Sequence, residues 1–158
     1  MKWRKWLDNW EMTSLRISAP FLAMEWNPAE SDREAAWDLY IELLTRVATQ
    51  SLADEDGDEQ TALDSVYALF SLTREIIKRH GRNCFEFTKL AVVVLNQVVR
   101  PFTSRWHRVS LQNGFGKSDT CRQFRTELAE LQLILHKYSQ MLADMAGVED
   151  LAQLEERS

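Results

Sequence analysis

Cys121, Phe124, Leu128, Leu131, Leu135, Tyr138, Leu142 and Met145 recur every three or four residues. That spacing holds one face of an α-helix for about seven turns. Asp119 stands where an N-cap is needed, and Gly147 where the helix would stop. The same period returns three times upstream. Trp37, Tyr40, Leu44, Val47 and Ala48 predict a helix from Ser31 to about Leu52. Ser31 and Glu34 read as its capping box, each side chain satisfying an orphan N–H of the first turn. Asp38, Glu42 and Arg46 line its other side at i, i+4 spacing. Leu63, Val66, Tyr67, Phe70, Arg74 and Ile77 predict a second helix from about Glu59 to His80. It ends on Lys78, Arg79 and His80, cations at the negative end of the dipole, and then on Gly81, which is free to turn left-handed. A third helix follows Asn83, a good cap, and carries Cys84, Phe87, Leu90, Ala91, Val94, Leu95 and Val98. Ala91 to Leu95 is apolar nearly all round, so this helix is expected at the centre.

Pro101 should end or kink that helix, because it lacks an N–H and its ring clashes with the preceding turn. A shorter helix is expected to continue to about Leu111. Gln112 to Ser118, with Gly114 and Gly116, reads as a loop. At the other end, Trp3, Trp6, Leu7 and Trp10 sit at i, i+3, i+4 and i+7, while Lys2, Arg4 and Lys5 fall off that face. So short a helix is not stable alone. It must dock on the rest of the chain, on a partner or on a membrane surface. Residues 13–27 have no clear period and are broken by Pro20 and Asn27-Pro28, so loop or extended structure is expected. The pattern as a whole predicts an all-α, single-domain protein over residues 1–158. Residues 31–147 form a four-helix bundle. The aromatic N-terminal segment, 1–28, packs across it, and 148–158 is a tail.

Charge is laid out in blocks. The net charge of −5 argues against non-specific nucleic-acid binding by the whole molecule. Yet residues 73–108 hold eight Lys and Arg against Glu75 and Glu86, a local +6. Residues 25–64 hold twelve Asp and Glu against Arg33 and Arg46, a local −10. Either the two blocks face each other inside the bundle, or Lys78, Arg79, Arg82, Arg100, Arg105 and Arg108 form an exposed basic patch. Such a patch suits an acidic protein, a phosphate-bearing ligand or nucleic acid, with Phe102 and Trp106 as stacking surfaces. Arg74 and Arg100 border apolar faces. A buried arginine needs a carboxylate, so an internal network with Asp38, Glu42 or Asp64 is expected.

Candidate chemistry is sparse. Cys84 and Cys121 form no CxxC pair and read as reduced core thiols. The acidic loop Asp54, Glu55, Asp56, Asp58, Glu59 fails the calcium-loop pattern, since glycine is not sixth nor glutamate twelfth. His80, His107 and His136 lie on different predicted elements with no second ligand one turn away. No phosphate-cradling glycine loop or nucleophile motif is present. No metal, no cofactor and no enzymatic activity are expected. No apolar run reaches the ~18 residues of a membrane span. MKWRKWLDNW lacks the apolar stretch and cleavage site of a signal peptide, so a cytoplasmic location is expected.

The densest cluster of chemistry-bearing side chains is LNQVVRPFTSRWHR, Leu95 to Arg108. Its Leu95, Asn96, Arg100, Pro101, Phe102, Trp106 and His107 resemble a segment of small bacterial helical proteins, about 13 residues long. In these an apolar helix ends in an Arg-Pro-aromatic pair followed by Trp-His. Some are similar to components found near toxin or antiviral-defence genes. The resemblance implies a bacterial accessory or regulatory protein and no catalytic residue. The expected binding surface is Arg100, Phe102, Arg105, Trp106, His107 and Arg108, with Trp3, Trp6 and Trp10 second. The partner is expected to be a protein, either another chain or a second copy. A nucleotide or nucleic acid on the basic patch is the alternative, and peripheral membrane contact through the N-terminal tryptophans is a third reading.

Overall fold

A computed structural model describes residues 1–46 and 58–154. The chain is all-α: α1 (Trp3–Asn9), α2 (Ala19–Leu22), α3 (Glu30–Leu44), α4 (Glu59–His80), α5 (Phe85–Val94), α6 (Arg100–Leu111) and α7 (Ser118–Ala146). Among the described residues the only β-type pairing is an isolated bridge between Lys2 and Glu25. The 29-residue α7 is the longest element. α3 lies along it, α4 and α5 pack on α3, and α6 packs on α4. Phe124, Leu128, Leu131, Leu135, Tyr138, Leu142 and Met145 are buried as the periodicity predicts, with Cys121 half-buried. α7 stops at Gly147, whose φ of 73° is the left-handed turn that glycine adopts without strain. Its N-cap is Lys117 and not Asp119, which pairs with Arg122 in the first turn.

α3 starts one residue before the expected cap. Ala29 is the N-cap, and the residue that closes the turn is Asp32, not Ser31 or Glu34. Asp32 Oδ2 accepts the Ala29 N–H at 2.8 Å, while Oδ1 accepts the Phe87 N–H at 3.0 Å. One buried carboxylate thus ties the first turns of α3 and α5, which explains why α5 has no side-chain cap of its own. Asn83 does not cap it. The expected continuation of α3 through Val47 and Ala48 to about Leu52 lies outside the described residues, as do Asp54, Glu55 and Asp56.

α4 has the predicted bounds and is capped by Asp58, which accepts the Gln60 N–H at 2.9 Å. Its buried face is rotated from the expected one. Leu63, Val66 and Phe70 are buried, but Leu69, Thr73 and Ile76 join them, while Tyr67 and Arg74 are exposed. α4 is flanked by α3 on one side and α6 on the other, and the arginine stays in water, where its charge is not desolvated. The expected internal arginine network is absent for the same reason. Arg100 is exposed, reaches Asn96 Oδ1 with Nε and Nη2 at 3.2 Å, and lies over the Phe70 ring at 4.7 Å. Asp38 instead holds Arg79 and His80, Glu42 holds Arg46, and Asp64 accepts from Gln60. Among the described residues the charge blocks therefore meet at Asp38 and Glu34, beside Arg79 and His80 at the end of α4.

Pro101 does not break the helix. Residues 85–111 are continuous, and Leu95–Val99 form a π-helical turn in which the Arg100 N–H reaches the Leu95 carbonyl. The wider turn gives the proline ring room that an α-turn denies. It also changes the spacing of buried positions. Phe87, Leu90, Ala91 and Val94 are buried, then Val99, Thr103 and Trp106, a step of five between Val94 and Val99. α5 is not enclosed all round, since Phe85 and Val92 are exposed.

The N-terminal tryptophans are inside. Trp3 and Trp6 are fully buried and Trp10 half-buried. Trp3 Nε1 donates to Glu86 at 2.6 Å, and Trp6 Nε1 to Asp144 at 2.6 Å. Trp6 also meets Trp3 edge-on at 5.4 Å and stacks on Trp26 at 4.8 Å. α1 is too short to persist alone, and these contacts hold it. At the far end, Tyr40 Oη donates to Asp150 at 2.8 Å and accepts the Leu151 N–H at 2.6 Å, fixing a short 3₁₀ turn at Leu151–Gln153.

Candidate functional site

The segment Arg100–Arg108 is wound into helix, so its side chains part company. Trp106 points into the core, packed edge-on against Phe124 at 5.1 Å and flat against Phe115 at 6.1 Å. Phe102 is half-buried beside it and meets Phe124 at 5.6 Å. Arg100 and His107 face solvent on the side toward α4, where Arg100 lies over Phe70 and His107 stacks on Tyr67, and Arg108 is exposed beside His107 in sequence. Arg105 emerges on the opposite side, pairs with Glu127 of α7 and lies over the Trp106 ring at 5.1 Å. The expected single surface is thus two surfaces with a packed seam between them. Trp3 and Trp6, expected as a second surface, expose none of their rings.

The Arg105 side opens into a groove of about 600 Å³ between residues 14–16, the π-helical turn, α6 and α7. Leu15, Val98, Phe102, Leu131 and Ile134 make it apolar, and Arg16 and Glu130 stand on its rims. The π-helical turn builds one wall. It presents Gln97, whose amide accepts the Arg16 N–H at 2.8 Å and donates to the Arg16 carbonyl at 2.7 Å. A side chain here does the work of a neighbouring strand, and it holds residues 14–16 over the groove. Beneath Arg105, Trp106 Nε1 and Glu127 Oε2 are buried without a hydrogen-bond partner. Each such atom carries a desolvation cost of about 1–3 kcal/mol.

Gln97, Glu127, Glu130, Ile134 and Arg16 were not singled out by periodicity. The one signal for them is on α7, where Leu133 and Ile134 fall outside the buried stripe and are exposed. Another exposed aromatic, Trp37, lines two smaller hollows of about 410 and 260 Å³, together with Glu34, Asp38 and Glu75.

The two cysteines and His80 are tied up locally. Cys84 is fully buried, and its thiol donates to the Gly81 carbonyl. Burial, and then the Glu59 carboxylate, push the Cys121 thiol up, and it donates to the Phe115 carbonyl at 3.1 Å. Burial also pushes the Tyr138 phenol up. His80 bridges Asp38 at 2.7 Å and Glu34 at 3.6 Å. Among the described residues no three His, Cys, Asp or Glu side chains are placed to hold a metal ion. No helix among them is long and apolar enough to cross a membrane. Compared with family models, with characterised proteins and with solved structures, the chain finds no match.

Proposed function

We propose that this chain is a non-catalytic, protein-binding helical module that acts through the groove at the π-helical turn. The reading takes α3, α4, α5–α6 and α7 as a four-helix bundle, with the aromatic N-terminal segment crossing it and supplying the groove's outer wall. The observation that carries it is the groove itself: it is lined by apolar side chains and by one charge of each sign, Arg16 and Glu130, that no ion pair among the described residues takes up. Protein interfaces have that anatomy, an apolar core within a polar rim. The matching partner is a short amphipathic segment of another protein. Its apolar face would cover Phe102, Leu131 and Ile134, an acidic residue would meet Arg16, and a basic one Glu130. A place among accessory components of bacterial toxin or antiviral-defence systems rests on the resemblance of residues 95–107 alone.

The test is selection of random 12-residue peptides displayed against the immobilised protein. Selected peptides should carry an apolar run flanked by charges of both signs. They should lose at least tenfold in affinity for Ile134→Asp, whose side chain is at the groove rim and partly exposed. They should also slow amide exchange at residues 14–16, 97–105 and 127–134. Peptides that bind wild type and Ile134→Asp equally, or that protect another face, would refute the proposal.

A further inference from the structure

The other side of α6 carries a different chemistry. Tyr67, Ser71, Arg74 and Lys78 form one exposed stripe along α4, and Arg100, Ser104 and His107 one along α6. The two stripes meet where Arg100 lies over Phe70 and where the Tyr67 and His107 rings stack, 6.2 Å apart and 23° from parallel. Tyr67 is 57% exposed, so the outer face of this ring pair is open. Arg74, Lys78 and Arg100 on these stripes, and exposed Arg108 next to His107, have no carboxylate partner among the described residues. The acidic residues nearby are Asp64, engaged by Gln60, and Glu75. This is not the basic patch that the sequence outlines. Phe102 and Trp106 have turned inward, Arg79 and Arg105 are paired, and Tyr67 and Arg74 from α4 have taken their places.

We infer that this α4–α6 face binds single-stranded nucleic acid, a base stacking on the Tyr67–His107 pair while Arg74, Lys78, Arg100 and Arg108 take phosphates. Aromatic side chains among cations are how proteins hold single strands without reading sequence. An acidic peptide would use the cations but has no flat ring to lay on the tyrosine, so the exposed ring pair favours a base. The net charge of −5 does not oppose this. Charges farther off than a Debye length of about 8 Å are screened at physiological salt, and the face senses its own excess of cations. Tyr67 to Lys78 spans eleven residues of helix, about 16 Å, which is room for about five nucleotides at the 3.4 Å spacing of a stacked strand.

Fluorescence anisotropy of a labelled 15-nucleotide oligo-dT, and of the matching oligo-U, tests it on the full chain. With four phosphates neutralised, affinity should fall about 50-fold between 50 and 200 mM salt. Tyr67→Ala should weaken binding about 5- to 100-fold, the range for one lost stacked base, whereas Tyr67→Phe should bind as wild type does. Arg74→Glu/Arg100→Glu should abolish binding. All these side chains are exposed, and far-UV circular dichroism confirms that each variant is folded. Ile134→Asp, in the groove, should bind the oligonucleotide unchanged, so a failure here is separate from a failure of the peptide-binding reading. No anisotropy change at 100 μM protein would overturn the inference. So would displacement by poly-glutamate together with full binding by Tyr67→Ala, which would assign the face to an acidic protein.

Discussion

Replacing Asp32 tests whether one buried carboxylate fastens two helices. Asp32 is 2% exposed and accepts the Ala29 and Phe87 N–H groups at 2.8 and 3.0 Å. A hydrogen bond to an ionised acceptor contributes about 1.5–3 kcal/mol. In Asp32→Ala the Ala29 N–H, at an exposed helix start, regains water, so the low end applies to it. Phe87 is fully buried, and its N–H would be left without a partner at a cost of about 1–3 kcal/mol. Together these give a loss of about 2.5–4.5 kcal/mol, or roughly 5–18 °C in Tm for a chain of this size. Asp32→Asn keeps one acceptor oxygen and should lose about 1–2 kcal/mol. Urea unfolding followed by far-UV circular dichroism measures both, and hydrogen exchange should show the Phe87 amide exchanging faster in each. A loss below 1 kcal/mol in Asp32→Ala, or equal losses in the two variants, would refute the two-helix tie.

Three further outcomes follow from local geometry. Tyr40→Phe removes the hydroxyl that holds Asp150 and Leu151, and should cost about 1–2 kcal/mol and speed amide exchange at residues 150–153. Glu25 is held below the ordinary carboxylate range, first by its hydrogen bond to Lys2 and then by the N-terminal ammonium. Its contribution is therefore present above the unfolded value and is lost as pH falls through the lower folded value. The Trp3 and Trp26 amides, bonded to the Met24 and Met1 carbonyls, should lose protection as pH falls below the ordinary carboxylate range, and protection unchanged from about pH 6 down to about pH 2 would contradict this. Cys121, with its thiol pushed up, and Cys84, fully buried, should both react with a maleimide at pH 8 at least roughly tenfold slower than in guanidinium.

Periodicity disclosed α4 and α7 almost to the residue, because both bury a face over about four turns or more and end on a glycine with positive φ. It failed where tertiary contacts override local rules. The Ser31–Glu34 box is sound local chemistry, yet Asp32 wins because its second oxygen also satisfies Phe87 in a distant helix. Arg74 and Tyr67 fit the apolar stripe of α4 by spacing, but α3 and α6 flank that helix unevenly and leave both outside. The 95–108 segment was visible as a cluster of reactive types. Which of its members share a surface was not, because the π-helical turn shifts every later side chain relative to α-helical counting. The groove was invisible for a simpler reason: its walls come from residues 14–16, 97–105 and 127–134, which no local pattern joins.

That π-helical turn has a genetic consequence. The step of five from Val94 to Val99 is one residue longer than an α-helix requires, so the rod from Phe85 to Leu111 contains a single surplus position. Deleting exposed Asn96 would restore a step of four. The deletion would return the Pro101 ring to the α-turn that clashes with it, at a cost of about 3 kcal/mol, and would turn Gln97 and Val98 away from Arg16 and from the groove. A one-codon deletion at this point would therefore be felt both in the helix and on the surface it shapes.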